Sequence, residues 1–290
     1  MKGLLPTVSA ALCVWLLARP PQAPVRGSDD ALLLPPLELL RPLAMPWPGL
    51  VADYYWLLQC NQIGRASTVQ EHRDIAAYAD LATDLDPGLY HAYRLGGIAT
   101  VFNLGREQFM NIDLSTRLVE KGLRHFPRDV PLRFLAGYNL GVLRRDAQAA
   151  AKVFGELARE PNVPSYVGAL ATRLYSEAGM FDAGMAMAQA LRELAPDEES
   201  RAFYDRRVLE LAAERVLREV DRASTRHAER TGAPPASVQA LVDSGDLPSL
   251  PFDPLGGDVV LDASGRAQST VTGFRLRVIR QSLKNQGLQP

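Results

Sequence analysis

Residues 128–161 read RDVPLRFLAGYNLGVLRRDAQAAAKVFGELAREP. Leu132, Leu135, Gly137, Tyr138 and Leu140 recur at helical spacing, and the charged run Arg144-Arg145-Asp146 interrupts them. A second helical run follows through Ala147, Ala150, Ala151, Phe154 and Leu157, and Pro161 closes it. Small Ala150 followed by large Phe154 and Leu157 suits two helices that interlock at short range. The stretch predicts a helix hairpin with a proline stop.

The same punctuation recurs along the chain. Pro87, Pro127, Pro161 and Pro196 each end an apolar helical stretch, and the last two intervals are about 34 residues. The interval from Pro87 to Pro127 is longer, with Gly105–Asn111 as the candidate insertion. This period and the placement of the prolines resemble the tetratricopeptide repeat (TPR) family, although the family's tryptophan near the start of the first helix is missing from the third unit. The resemblance implies a mainly α fold, a TPR-like α-solenoid whose concave surface binds a partner and rarely performs chemistry.

Repeats are expected over residues 49–200. The first opens with GLVADYYWLLQCNQIGR at 49–65, where Leu50, Tyr54, Leu57 and Leu58 trace one helix face. Most of that face is expected in the core, with an aromatic ligand groove as the alternative. Ile75, Tyr78, Ala79, Ala82 and Leu85 mark its partner helix. The second unit runs from Leu89 to Pro127, with small Gly96 and Gly122 where helices must approach, and the fourth runs from Asn162 to Pro196. Tyr93, Tyr138, Tyr166 and Tyr175, with Arg94 and Arg173, are the candidate groove residues for an extended or helical protein segment. Packing between helices is the alternative role for each tyrosine.

Before the repeats, MKGLLPTVSAALCVWLLARP carries the apolar stretch Leu4–Ala18 between Lys2 and Arg19. At about 15 residues it is long for a secretory core and short of the roughly 20 that span a bilayer. Residues 1–23 are expected to be a signal peptide or membrane anchor, which places the protein in the periplasm at or near the inner membrane. Residues 24–48 contain Pro35, Pro36, Pro42, Pro46 and Pro48 and read as an extended tether whose leucines are free to dock.

Lys plus Arg (32) balances Asp plus Glu (33), so no basic field argues for nucleic acid. With a leader removed, Cys60 is the remaining cysteine and is expected as a small buried residue. His72, His91, His125 and His227 are scattered without zinc-ligand spacing, and no metal or cofactor is assigned.

Residues 201–231 predict a long charged helix with an apolar face through Leu209, Ala212, Ala213, Val216 and Val220, suited to capping the stack. Residues 232–280 then predict a small α+β module: a short helix at Ser237–Asp243, strands at Val259–Leu261 and Phe274–Ile279, and turn material at Asp262–Gly265. Residues 281–290 are expected to be a tail. Thr231, Gly232 and Pro235, followed by Pro251, Asp253, Pro254 and Gly256, resemble the globular part of type II secretion major pseudopilins. Val259 or Val260 stands where that family often has tyrosine, and the chain opens without its Gly-Phe processing site. The likeness covers roughly a quarter of the chain and implies a pilin-like shape without a fibre role. It also implies calcium near Asp253, Asp258 and Asp262, yet Asp253 and Asp262 read equally as turn formers that bond their own backbone.

No G-x-S-x-G, H-E-x-x-H, P-loop or dinucleotide fingerprint is present, and no catalytic residue is assigned. The expected function is a non-catalytic envelope scaffold that binds a protein, with a type IV pilus or secretion machine as client. The alternative is a periplasmic enzyme or carbohydrate-acting accessory with its site between the solenoid and the C-terminal module.

Overall fold

The computed structural model describes residues 32–106 and 108–278. The expectations for residues 1–31 and 279–290 lie outside them. The described chain is mainly helical. Helix α1 spans Leu37–Ala44, α2 Pro48–Ile63, α3 Val69–Leu85 and α4 Tyr90–Ala99. A hairpin of β1 (Phe102–Gly105) and β2 (Gln108–Met110) precedes α5 (Ile112–His125). Then come α6 (Val130–Tyr138), α7 (Ala147–Leu157), α8 (Ser165–Glu177), α9 (Phe181–Leu194) and α10 (Glu198–Thr231). The chain closes with α11 (Val238–Asp243), β3 (Val259–Leu261) and β4 (Ala267–Ser269).

Local chemistry sets the helix starts. Thr68 Oγ1 accepts from Glu71 N while the Glu71 carboxylate accepts from Thr68 N, a reciprocal capping box that opens α3. Asp129, Asp146 and Asp197 cap α6, α7 and α10 by accepting from Leu132 N, Ala149 N and Ser200 N. Pro87 and Pro127 fall just after α3 and α5, as the sequence predicts. The insertion in the second unit folds as the β1–β2 hairpin, which Gly105 turns at φ 89°.

From α2 to α10 each helix packs on its neighbours in sequence, and α2 also reaches α4, α3 reaches α5, and α4 reaches α6. The apolar core is accordingly a series of clusters. Ala52, Tyr55, Leu81 and Leu85 form one, Ala79, Tyr93, Leu118 and Leu132 the next, and Phe154, Leu157, Val167, Leu174, Leu191 and Tyr204 a third. Buried polar groups cross between helices: Gln59 donates to Ala92 O, and Asn139 donates to Ser115 Oγ, which donates to Gly97 O. Each bond spares its donor N–H or O–H the 1–3 kcal/mol or so that an unsatisfied buried polar group costs, whereas Gln59 Oε1 and Asn139 Oδ1 are buried without a partner. A π-helical turn at Asn139–Leu143 extends α6 and holds Asn139 in this chain.

Helix α10 is 34 residues long, about 51 Å at 1.5 Å per residue. Its first half packs Tyr204 into the third cluster. Its second half buries Leu217, Val220 and Ala223 against Val238, Leu241 and Ala267 of the C-terminal module. One helix therefore serves both parts.

Four expectations are corrected. Residues 37–44 are helical rather than tether, because Leu34, Leu37, Leu40 and Ala44 gain burial against the first cluster, with Pro36 at the N-cap. Pro48 stands at the first turn of α2, where its missing N–H costs nothing. Leu50, Tyr54 and Leu57 are exposed, whereas Val51, Ala52, Tyr55, Leu58 and Gln59 turn inward. Helix α2 is apolar on nearly every side, so periodicity alone does not choose its buried face. Residues 274–278 form no strand; β3 pairs with β4 instead, Val260 opposite Gln268. The cause is Arg275, which donates to Glu214, Asp221 and Ala267 O while Leu276 N donates to the Glu214 carboxylate, drawing the segment onto α10. Finally, Cys60 is only half-buried, and that burial pushes its thiol up.

Candidate protein-interaction surface

The helices between residues 48 and 194 differ in what they expose. On α2, α4, α6 with its π-helical turn, and α8, the large apolar groups facing outward are Leu50, Tyr54, Leu57, Leu95, Ile98, Tyr138, Val142 and Tyr166. On α3, α5 and α7 the exposed side chains are polar: Arg73, Asp80, Asp113, Arg117, Glu120, Arg124, His125, Gln148, Lys152 and Glu156. Helix α9 follows the polar pattern apart from Ala186 and its last residue, Leu194. The first helices thus expose apolar groups beside polar ones such as Asp53, His91, Arg94 and Arg173, whereas α3, α5 and α7 expose polar side chains alone. Contiguous exposed apolar patches mark interaction sites, which makes these residues the candidates for one.

Ion pairs link residues both within and between units. Lys121 bridges Asp80 and Asp84 at 2.6 and 2.7 Å, Arg133 meets Glu160 at 2.9 Å, and Arg144 reaches Asp113. Exposed pairs of this kind are each worth about 0–1 kcal/mol.

The six groove residues named from the sequence divide cleanly. Tyr138 and Tyr166 are exposed, and the Tyr166 ring lies edge-on to Phe134 at 6.2 Å. Arg94 is exposed on α4, next to Leu95. Arg173 is exposed on α8 and holds Glu177 at 3.2 Å. Tyr93 and Tyr175 are corrections, because both are core. Tyr93 is fully buried, donates to Pro87 O and packs edge-on to Phe126. Tyr175 is buried in the third cluster. Burial pushes both phenols up, first through loss of solvent around the charged form.

Leu95, Ile98 and Val142 were not among the groove residues named from the sequence. Gly96 and Gly97 carried the missing signal. A Cβ on Gly96 would stand 2.5 Å from Leu118 Cδ2, and one on Gly97 would stand 2.7 Å from Val119 Cγ2. The glycines therefore mark the inward face of α4, and Arg94, Leu95 and Ile98 must point the other way.

Between the turn at Gly179, α10 and Val278 lies an open cleft of about 460 Å³, lined also by Phe181, Arg218, Asp221, Arg222, Arg226 and Glu229. Asp221 is committed, accepting from Arg275 and from Ala267 N. Glu229 is the other carboxylate on the cleft lining. In the module, Asp253 is buried and accepts from Ser269 Oγ and Leu255 N. Asp262 caps its own turn, and hydrogen bonds led by the Ser264 hydroxyl hold its carboxyl below the usual range. Among the described residues, no group of three or more His, Cys, Asp or Glu side chains could hold a metal ion, and no helix is long and apolar enough to cross a membrane. Neither a protein-family model nor a curated protein matches the chain.

Proposed function

We propose that the chain is a non-catalytic TPR-like scaffold, an α-solenoid of helix hairpins capped by α10, whose first helices bind a segment of another protein. The observation that carries this reading is the split between apolar exposure on α2, α4, α6 and α8 and polar exposure on the helices between them. Packing confined to nearby helices supports the solenoid, since stacked hairpins bury their core only against their neighbours. Arg94 adds a positive charge beside Leu95, so a segment with apolar anchors and an acidic flank suits the surface.

A periplasmic position follows from Leu4–Ala18 in the sequence, and a pilus or secretion assembly as client follows from the pseudopilin-like order of the C-terminal module. Capture of the full chain from envelope membranes tests both parts, run beside a Tyr138→Glu/Tyr166→Glu variant. The expected result is one defined protein that the variant loses by at least about tenfold, equivalent to about 1.4 kcal/mol. A partner retained equally by the variant refutes the surface. Capture without any pilus or secretion component refutes the client.

A further inference from the structure

We propose that α1 and the turn after it make a second contact with a lipid surface, through Leu39, Leu43, Met45 and Trp47. These side chains are 61%, 80%, 67% and 69% exposed. Leu39 and Leu43 lie one helical turn apart, on the flank of the face whose Leu37, Leu40 and Ala44 pack against the first cluster. Met45 and Trp47 continue the exposed run into α2. Trp47 has the amphipathic ring that favours the headgroup level of a bilayer. Glu38 and Arg41, both exposed, cancel in charge, so the attraction is apolar and needs no anionic lipid.

The sequence before α1 names the occupant. Leu4–Ala18 is an apolar run, and residues 19–36 between it and α1 reach at most about 65 Å when extended. The inference rests on reading that run as embedded in lipid. If it is embedded, α1 is tethered within reach of the same surface, and tethering lets a weak patch bind at high effective concentration. Four apolar side chains are then enough. They fall well short of the roughly 800 Å² per partner that a stable protein–protein interface buries.

The test uses the full chain in phosphatidylcholine vesicles, with Cys13→Ser and Cys60→Ala and one spin label at a time on Leu43→Cys, Ala11→Cys or Lys152→Cys. Accessibility to oxygen against a water-soluble nickel chelate reports depth, and circular dichroism checks the fold of each variant. The expected result is that labels at positions 43 and 11 lose access to the chelate while the label at 152 keeps it. If position 11 is in lipid and position 43 in water, the inference is overturned and the reading of the N-terminal run stands. If both are in water, both are overturned. Dipolar broadening at position 43 from a second label would show a copy of the chain on the patch and would also overturn the proposal.

Discussion

Replacing Gly96 by alanine adds one methyl group at a point where α4 meets three other helices. Its carbon would stand 2.5 Å from Leu118 Cδ2, 2.9 Å from Ala79 Cβ and 2.9 Å from Gln59 Nε2. Those atoms belong to α5, α3 and α2, and favourable carbon contacts begin near 3.5 Å. The Leu118 methyl can swing aside. Ala79 moves only with its backbone, and Gln59 cannot retreat without losing its bond to Ala92 O. Overpacking of this kind costs about 1–3 kcal/mol, against a gain of up to about 1 kcal/mol in helix propensity. Set against the full propensity gain, the expected net loss is up to about 2 kcal/mol, read as a lower urea midpoint at unchanged slope. Gly49→Ala is the matched control, because its added methyl would meet nothing within 4 Å. It keeps only the propensity gain, reduced to about 0.5 kcal/mol in the first turn. If Gly96→Ala proves as stable as Gly49→Ala, α2, α3 and α5 do not converge on α4 and the stacking is refuted.

The junction at Arg275 makes a second prediction. Arg275→Ala leaves the buried Glu214 carboxylate with the Arg218 guanidinium and the Leu276 N–H, so unfolding experiments should show a loss of about 2–3 kcal/mol, the low side for breaking a buried pair. The double variant Glu214→Leu/Arg275→Leu should lose less than Arg275→Ala, and a single variant within about 0.5 kcal/mol of wild type contradicts the network. Asp246 predicts an acid response. Hydrogen bonds from Ser244 and His227, with Arg230 beside them, lower its pKa from 3.8 to about 2. A carboxyl depressed in the folded state stabilises it above the ordinary value, and that contribution is lost as pH falls from about 4 through 2. In Asp246→Asn the pH dependence of stability over this window should flatten, and an unchanged slope counts against the cluster.

Much of the architecture was legible because helix punctuation is local chemistry. Prolines ended α3 and α5, Thr68 capped α3, Asp129, Asp146 and Asp197 capped α6, α7 and α10, and Asp262–Gly265 turned the β3–β4 hairpin. What stayed hidden depended on contacts distant in sequence. No pattern within 274–278 announces that Arg275 will leave the hairpin for Glu214, which stands 61 residues earlier. In α2 the inward face was chosen by the small Ala52 and the hydrogen-bonding Gln59 rather than by its larger apolar groups. The tyrosines illustrate the same limit for the candidate surface. Tyr93 and Tyr166 look alike in the sequence, yet one closes a core cluster and the other faces outward.

The measurement that bears most directly on the scaffold reading is site-specific photo-crosslinking in living cells. A photoreactive residue is placed at Leu57, Ile98 or Val142 on the first helices, or at Glu120, Lys152 or Gln189 on the second. The account predicts one discrete protein adduct from the first set and none from the second. Adducts from both sets alike, or from the second alone, would contradict it.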